Sequence, residues 1–579
     1  MRGQSVFTDS RLVFFTDTRL YFLTERWLVL LTDAWRMANE RPLEQARRWW
    51  KERVDAGRYV VSPSEVPSPA VSRVLRQEGL ILDTAGKRAW ILTPGKTVDA
   101  RAVFLANYWP VVALVLKRYE LAAVAGIAAV RVYLEDFSPP EDLPAYQAAN
   151  QSEYKLTLYP GFRLRLRPRK LTSGDIVTVT APGQTELPVQ GSVDILTTLD
   201  EGEVAAGIEP LSAWLRHLVV RTPDLEARVE KNPRPVILQR LADLAAALHN
   251  EPLARQLMQL VRRISSRQNT PARTGVGTRI AIPKVLTDAP RGTGSPWLDA
   301  QAMRLAREQT EVRRILGDVA RELPRFNWTL LRAQAEENKA YDAYHSTTME
   351  GYRISREISD AIVRGEPLPD GPQDRKTLEA AMAVQGYTIA YGIIIERARR
   401  KDPIDAALIL DLHEALFRPS VDAGLADTAA LRGWRQDRVG LQGWRYVPPN
   451  AKKVPDLIGG LERFAVRSDL DPVTRALLVH LEFVTIHPFM DGNGRLGRLL
   501  MNHALLTAGL PWVTIRSDER VPFFKSIEKA QVDDEARPFA EFLWHLITQV
   551  VRELESRRTP RTRSGAARGR VSRRRRTRR

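Results

Sequence analysis

His487-Pro488-Phe489-Met490-Asp491-Gly492-Asn493-Gly494-Arg495-Leu496-Gly497-Arg498 brings a base, a carboxylate, a glycine-rich turn and two arginines together in one short stretch. The preceding segment, Arg475 to Ile486 (RALLVHLEFVTI), has helical apolar spacing, and a second helical pattern runs from near Arg495 through Leu499, Leu500, Met501 and Leu505. The stretch is therefore the turn between two buried helices. Gly492, Asn493 and Gly494 can take positive φ values that let backbone N–H groups converge, and they lead into a helix N-terminus whose partial positive charge favours an anion. Arg495 and Arg498 lie three apart, so their guanidinium groups point the same way, with donors suited to phosphate oxygens. Asp491 supplies a hard oxygen of the kind Mg²⁺ prefers, and His487 is a base whose ordinary pKa lies near neutrality. A structural turn would account for the glycines alone. The whole set describes a nucleotide site with a base.

These residues match the Fic family motif, H-x-F-x-[D/E]-G-N-G-R-x-x-R, at every fixed position, and chance agreement is on the order of one in 10¹⁰ per start point. The resemblance implies a protein adenylyltransferase. The histidine takes a proton from a Ser, Thr or Tyr hydroxyl of a target protein, the oxygen attacks the α-phosphate of ATP, and AMP is transferred as pyrophosphate leaves. It assigns His487 as general base, Asp491 as Mg²⁺ ligand, Gly492, Asn493 and Gly494 as the anion nest, Arg495 and Arg498 as phosphate clamps, and Phe489 as a core anchor.

Upstream, Ser346-Thr347-Thr348-Met349-Glu350-Gly351 fits that family's inhibitory motif, [S/T]-x-x-x-E-[G/N]. Ser346 and Glu350 are four apart and share one helical face. By resemblance Glu350 pairs with Arg498 and fills the space of the ATP γ-phosphate; by itself the pattern also suits a solvated helix residue. Val439 to Pro449 (VGLQGWRYVPP) alternates and holds turn residues, which predicts a short hairpin. It resembles the family's flap, where Leu441, Gly443, Trp444 and Tyr446 would pair with a target's backbone as an added strand, although an ordinary hairpin covering the core fits the same pattern. Leu412 to Leu416 and Leu431 to Arg435 also resemble family segments, so the likeness spans about 296–556. His413, His480 and His503 fall within apolar helical patterns without zinc-ligand spacing, which predicts packing roles and no structural metal.

The remainder is bounded by composition. A chain of 579 residues, 44% hydrophobic and 27% charged, suits several soluble domains, and the absence of cysteine excludes disulfides and thiol catalysis and fits a reducing cytoplasm. The net charge is +18, of which two thirds comes from the arginines of 557–579, a segment without acids that should be disordered and reach for nucleic-acid phosphate, as a nucleoid-associated protein would. An acidic membrane surface or acidic protein would also suit it, as would a solubilising role. Residues 1–36 repeat with a period of eight from Phe7-Thr8-Asp9-Ser10-Arg11-Leu12, and charges break every apolar run, so no membrane span or signal core fits. That repeat suggests a misassigned start, with a small β-ribbon or peripheral anchor as the alternative.

From Met37 to residue 94 the order helix, Ser68-capped helix, basic hairpin predicts a winged helix-turn-helix, similar to the heads of abortive-infection-type antitoxin regulators. Ser72, Arg73 and Arg76 would face the DNA major groove, and Lys87 and Arg88 would hold phosphates. Residues 95–264 read as an α/β regulatory domain, with strands at Arg131–Leu134, Tyr154–Leu158, Phe162–Arg167 and Asp175–Thr180 before helices from Leu211; 265–295 reads as a linker.

The expected protein is thus multidomain: a mainly α-helical Fic catalytic domain with a β-hairpin flap, preceded by a winged helix-turn-helix and an α/β domain. ATP and Mg²⁺ are the expected cofactors, and a target protein and DNA the expected partners. The oligomeric state and the direction of reaction, addition or removal of AMP, stay open. The alternative is a DNA-binding transcription regulator whose Fic domain senses nucleotide.

Overall fold

The computed structural model describes strands at 7–8, 11–16 and 19–22, and residues 42–95, 99–148, 152–231, 233–267, 295–366, 374–428, 431 and 433–558. Nearly all of the expected linker and arginine tail, and much of 1–36, lie outside the described residues. The chain divides into two units, residues 1–303 with 440–447, and residues 304–439 with 448–579.

In the first unit, β1 (Phe7–Thr8), β2 (Arg11–Thr16) and β3 (Arg19–Phe22) pair antiparallel, with Phe7 opposite Leu12 and Val13 opposite Phe22. The eight-residue repeat is the spacing of this meander. Next come helices Pro42–Asp55 and Pro69–Gln77 and an antiparallel sheet in which β6 (Ala89–Leu92) lies between β4 (Val60–Val61) and β5 (Ile81–Thr84). Ser68 caps the second helix by accepting from the Val71 N–H, Pro69 occupies its first turn, and Gly79 follows it at φ 67°. Ala46, Trp49, Val71, Leu75 and Trp90 form the local core.

A six-stranded mixed sheet follows, in the order β11 (Ile176–Ala181), β12 (Thr185–Gln190), β7 (Ala123–Val124), β8 (Asp142–Gln147), β10 (Phe162–Pro168), β9 (Tyr154–Tyr159). Three of the four expected strands are here. The fourth is corrected: Arg131–Leu134 belongs to helix Gly126–Tyr133 and its cap. Its apolar residues look alternating over four positions, yet Ala129, Val130 and Val132 are buried together on one helical face. Helices from Ile208–His217 to Glu251–Arg267 complete the unit, the last running into the start of the expected linker.

The second unit is helical among the described residues. Helix Trp328–Met349 begins at Asn327, whose side chain accepts from the Leu330 N–H, and buries both apolar residues and Gln334, Asp342, Ser346 and Thr347. Helix Arg375–Arg400 is long and apolar enough to cross a membrane, but more than half of its most apolar window is buried within the protein, as in a core helix. It crosses helix Ala406–Asp422 at Gly386, where an added Cβ would stand 2.1 Å from the Leu416 carbonyl oxygen. Only glycine allows that approach. Helices Pro472–Ile486 and Asn493–Thr507 pack together as the sequence predicts, and Gly497 meets Val484 and His480 where they touch.

Gly386→Ala should therefore cost at least about 3 kcal/mol of stability, because backbone blocks the new methyl and the two helices must part. Chemical denaturation measures it, and a loss below about 0.5 kcal/mol would show that the crossing has room.

Candidate active site

The turn between the last two helices is fixed by local chemistry. Asp471 caps helix Pro472–Ile486 by accepting from the Thr474 N–H at 2.8 Å, and the helix ends at His487, which adopts the left-handed conformation at φ 50°, ψ 60°. The chain then loops to Gly492, at φ 87°, which starts helix Asn493–Thr507. Of the three residues expected at positive φ, only Gly492 is there; Asn493 and Gly494 are already helical. The Asn493 side chain closes the loop instead, accepting from the Phe489 N–H at 3.0 Å and donating to its carbonyl at 2.8 Å. The Glu350 side chain lies directly over Gly494, where a Cβ would stand 2.3 Å from Glu350 Oε1.

His487 is partly buried, and its Nδ1 lies 3.3 Å from the Val484 carbonyl. A carbonyl can only accept, so this bond puts the proton on Nδ1 and leaves the Nε2 lone pair as the base. Burial lowers the imidazole pKa to about 4; the Arg435 charge adds to the effect, while the Val484 bond and the Glu350 and Asp491 charges oppose it. The ring is thus neutral at physiological pH. Phe489 is buried and stacked on His413, with centroids 3.8 Å apart and planes 7° from parallel, so it anchors the loop as expected. His413, His480 and His503 are buried, consistent with packing.

Arg435 was not singled out by sequence reasoning. Its backbone N–H donates to the Pro488 carbonyl at 2.9 Å, and its buried guanidinium donates to the carbonyls of His487 at 2.7 Å, of Asp437 at 2.9 Å and of Pro449. One planar fork therefore ties the loop after His487 to segments on both sides of 440–447. Only the Gly433-Trp434-Arg435 turn hinted at it.

The charged groups converge on the start of helix Asn493–Thr507. Arg498, 3% exposed, donates to Glu350 Oε1 at 2.8 Å, to Ser346 Oγ at 3.1 Å and to the Ser346 carbonyl at 2.9 Å. The Glu350 carboxylate abuts Gly494, at the end of the helix where an anion is favoured. Arg495 is fully buried, 3.4 Å from Asp491 and over the rings of Tyr352 and Phe417, and its Nε has no hydrogen-bond partner among the described residues. A buried cation with an unmet donor beside a helix N-terminus fits a phosphate. The Asp491 carboxylate is exposed, accepting from its neighbour Gly492 at 2.6 Å. One exposed carboxylate fits Mg²⁺ held jointly by the protein, phosphates and water.

The other expected sites are less assembled. Across 439–449 no strand forms among the described residues; Trp444 N–H donates to the Leu441 carbonyl in a simple turn, correcting the expected β-hairpin flap. Pro448 and Pro449 have no N–H to give to a ladder, and Gly440 and Gly443 weaken strand pairing. Tyr446 is 6% exposed and segment 440–447 folds with the first unit, while Leu441, Gly443 and Trp444 are partly exposed. In helix Pro69–Gln77, Arg76 donates to Ser72 at 2.9 Å and to Asp83 at 3.2 Å and lies over Trp90. Arg88 donates to the Tyr154 hydroxyl at 3.2 Å, while Arg73 and Lys87 are exposed. Three of the five residues expected to meet DNA, Ser72, Arg76 and Arg88, are thus held by intramolecular contacts.

Residues 403–505 match the model of the Fic/DOC family, and the chain therefore contains a Fic/DOC domain. Protein adenylyltransferase Fic of Drosophila sechellia is 31% identical over 216 residues, 37% of this chain and 41% of that protein, and the Drosophila melanogaster protein of the same name gives the same figures. The chain spans about two fifths of the length of these curated relatives. Among solved structures, Fic-1 from C. elegans is similar at 18% identity and a TM-score of 0.36, over 62% of this chain and 94% of that one. A Fic domain containing signaling protein from Bacteroides thetaiotaomicron is similar at 18% identity and a TM-score of 0.34, over 44% and 95%.

A base buried in this way should stay neutral far into acid. Followed by NMR, the His487 imidazole should titrate near pH 4 and show no transition between pH 8 and about pH 5.5. A midpoint near 6.5 would mean that burial does not control this group.

Proposed function

We propose that the chain transfers AMP from ATP to a Ser, Thr or Tyr hydroxyl of a target protein, and that Glu350 restrains this activity. One observation carries the reading: the Glu350 carboxylate pairs with Arg498 against Gly494, in the place where helix N-terminus and arginine favour an anionic phosphate, next to a neutral His487. The matched family and the relatives named protein adenylyltransferase support the chemistry.

In the proposed reaction the target's hydroxyl gives its proton to His487 Nε2 as its oxygen attacks the α-phosphorus. A new P–O bond forms to the target, the bond between the α-phosphorus and the bridging oxygen to the β-phosphate breaks, and pyrophosphate leaves with the electron pair. The N-terminal N–H groups of helix Asn493–Thr507 and the arginines hold the phosphates. Mg²⁺ on Asp491 would neutralise phosphate charge, and Asn493 and Arg435 brace loop 488–493 around it.

While Glu350 holds Arg498 the terminal phosphate lacks its clamp. If the restrained state lies ~2–3 kcal/mol below the competent one, Glu350→Gly raises transfer roughly 30- to 150-fold. Glu350→Gln keeps helix propensity, loses the full charge and activates partially. His487→Ala in the Glu350→Gly background lowers transfer about 10²–10⁴-fold while ATP still binds. The assay is covalent label from α-labelled ATP on protein. Neither Glu350 variant exceeding wild type would refute the restraint, and undiminished labelling with His487→Ala would refute the base.

A further inference from the structure

Asp342, Ser346 and Glu350 recur every four residues along helix Trp328–Met349 and its C-cap, and the first two are buried deeper than the third. Only Ser346 and Glu350 belong to the motif. Asp342 is 2% exposed and accepts two hydrogen bonds, from the Tyr387 hydroxyl at 2.6 Å and from Thr514 Oγ1 at 2.7 Å. Tyr387, fully buried on helix Arg375–Arg400, accepts in turn from the Ser346 hydroxyl at 3.1 Å. Ser346 Oγ accepts from Arg498 Nε at 3.1 Å.

With Asp342 ionised, the polarity of this chain is fixed: a guanidinium can only donate and a carboxylate can only accept, so both intervening hydroxyls point from Arg498 toward Asp342. The cation and the buried anion are thus joined through Ser346 and Tyr387 in a head-to-tail relay, in which each bond polarises the next. The relay takes the Nε side of the guanidinium. Nη1 lies on the side of Gly494, 3.2 Å from the position of an added Cβ there, and faces the anion site.

We infer that Asp342 and Tyr387 are positioning residues for Arg498, orienting the Ser346 hydroxyl so that the guanidinium presents Nη1 and Nη2 to whichever anion occupies the helix N-terminus, Glu350 or a nucleotide phosphate. This rests on the proposed phosphate-binding role of Arg498. It gives the long buried stretch between Ser346 and the two neighbouring segments a task in substrate binding rather than in folding alone. Neither residue touches the reacting atoms.

The test uses the full-length chain carrying Glu350→Gly, so that the restraining carboxylate does not mask the effect. Tyr387→Phe keeps the ring and removes the relay oxygen; Asp342→Asn keeps the shape and removes the terminal charge. For Tyr387→Phe, KM for ATP should rise about tenfold while kcat stays within about threefold, and Asp342→Asn should move KM in the same direction. The double variant should be no worse than the worse single one, since both cut one relay. ATP affinity by calorimetry should fall in parallel and requires no transfer, so failure of the proposed reaction and failure of the relay are told apart. If one variant does not fold, the other decides. KM and ATP affinity within twofold of the Glu350→Gly parent, in a folded variant with lowered Tm, would assign both residues to the core and overturn the inference.

Discussion

Arg498 is the residue on which the geometry of the second unit turns. The guanidinium, 3% exposed, has its partners at the end of helix Trp328–Met349, Ser346 and the cap residue Glu350, with Tyr387 of helix Arg375–Arg400 at one remove. Leaving such a cation unpaired would be strongly destabilising, so an anion must sit beside it. In this structure the anion is the protein's own carboxylate. In the proposed reaction a nucleotide phosphate would have to replace Glu350 without leaving Arg498 alone, which would couple nucleotide binding to the end of one helix.

The rest of the site is fixed by contacts that do not involve Glu350. Asn493 closes the loop on Phe489, Phe489 lies flat against His413, and Arg435 fixes the His487 carbonyl from outside the motif. Gly386 lets the two helices behind this layer approach to backbone contact. His487 is set by burial as much as by its neighbours: with its pKa lowered to about 4 it is a weak but permanently available base at neutral pH.

What was legible in the sequence was what is local in the chain. The motif 487–498 is contiguous, so its turn, its base and its arginines could be read directly, and Ser346 with Glu350 could be read from a four-residue helical spacing. The cap at Ser68 and three of the six strands of the mixed sheet were equally local. Arg435, Tyr387 and Asp342 were invisible because their partners lie 40 to 170 residues away, roughly, and no periodicity reports a tertiary hydrogen bond. The positive φ expected at Gly494 was misread, since helix Asn493–Thr507 has already begun there. Arg131–Leu134 and 439–449 failed differently: four residues of alternation do not separate strand from helix, and two prolines with two glycines outweighed an aromatic alternation.

The central claim is that Glu350 stands where a terminal phosphate would stand. Calorimetric titration of wild type and Glu350→Gly with ATP and with ADP isolates that phosphate. The account predicts that wild type binds the two nucleotides with similar affinity, that Glu350→Gly prefers ATP by about tenfold or more, and that this preference disappears when Arg498→Ala is added. An unchanged ratio of ATP to ADP affinity on removing Glu350 would contradict it.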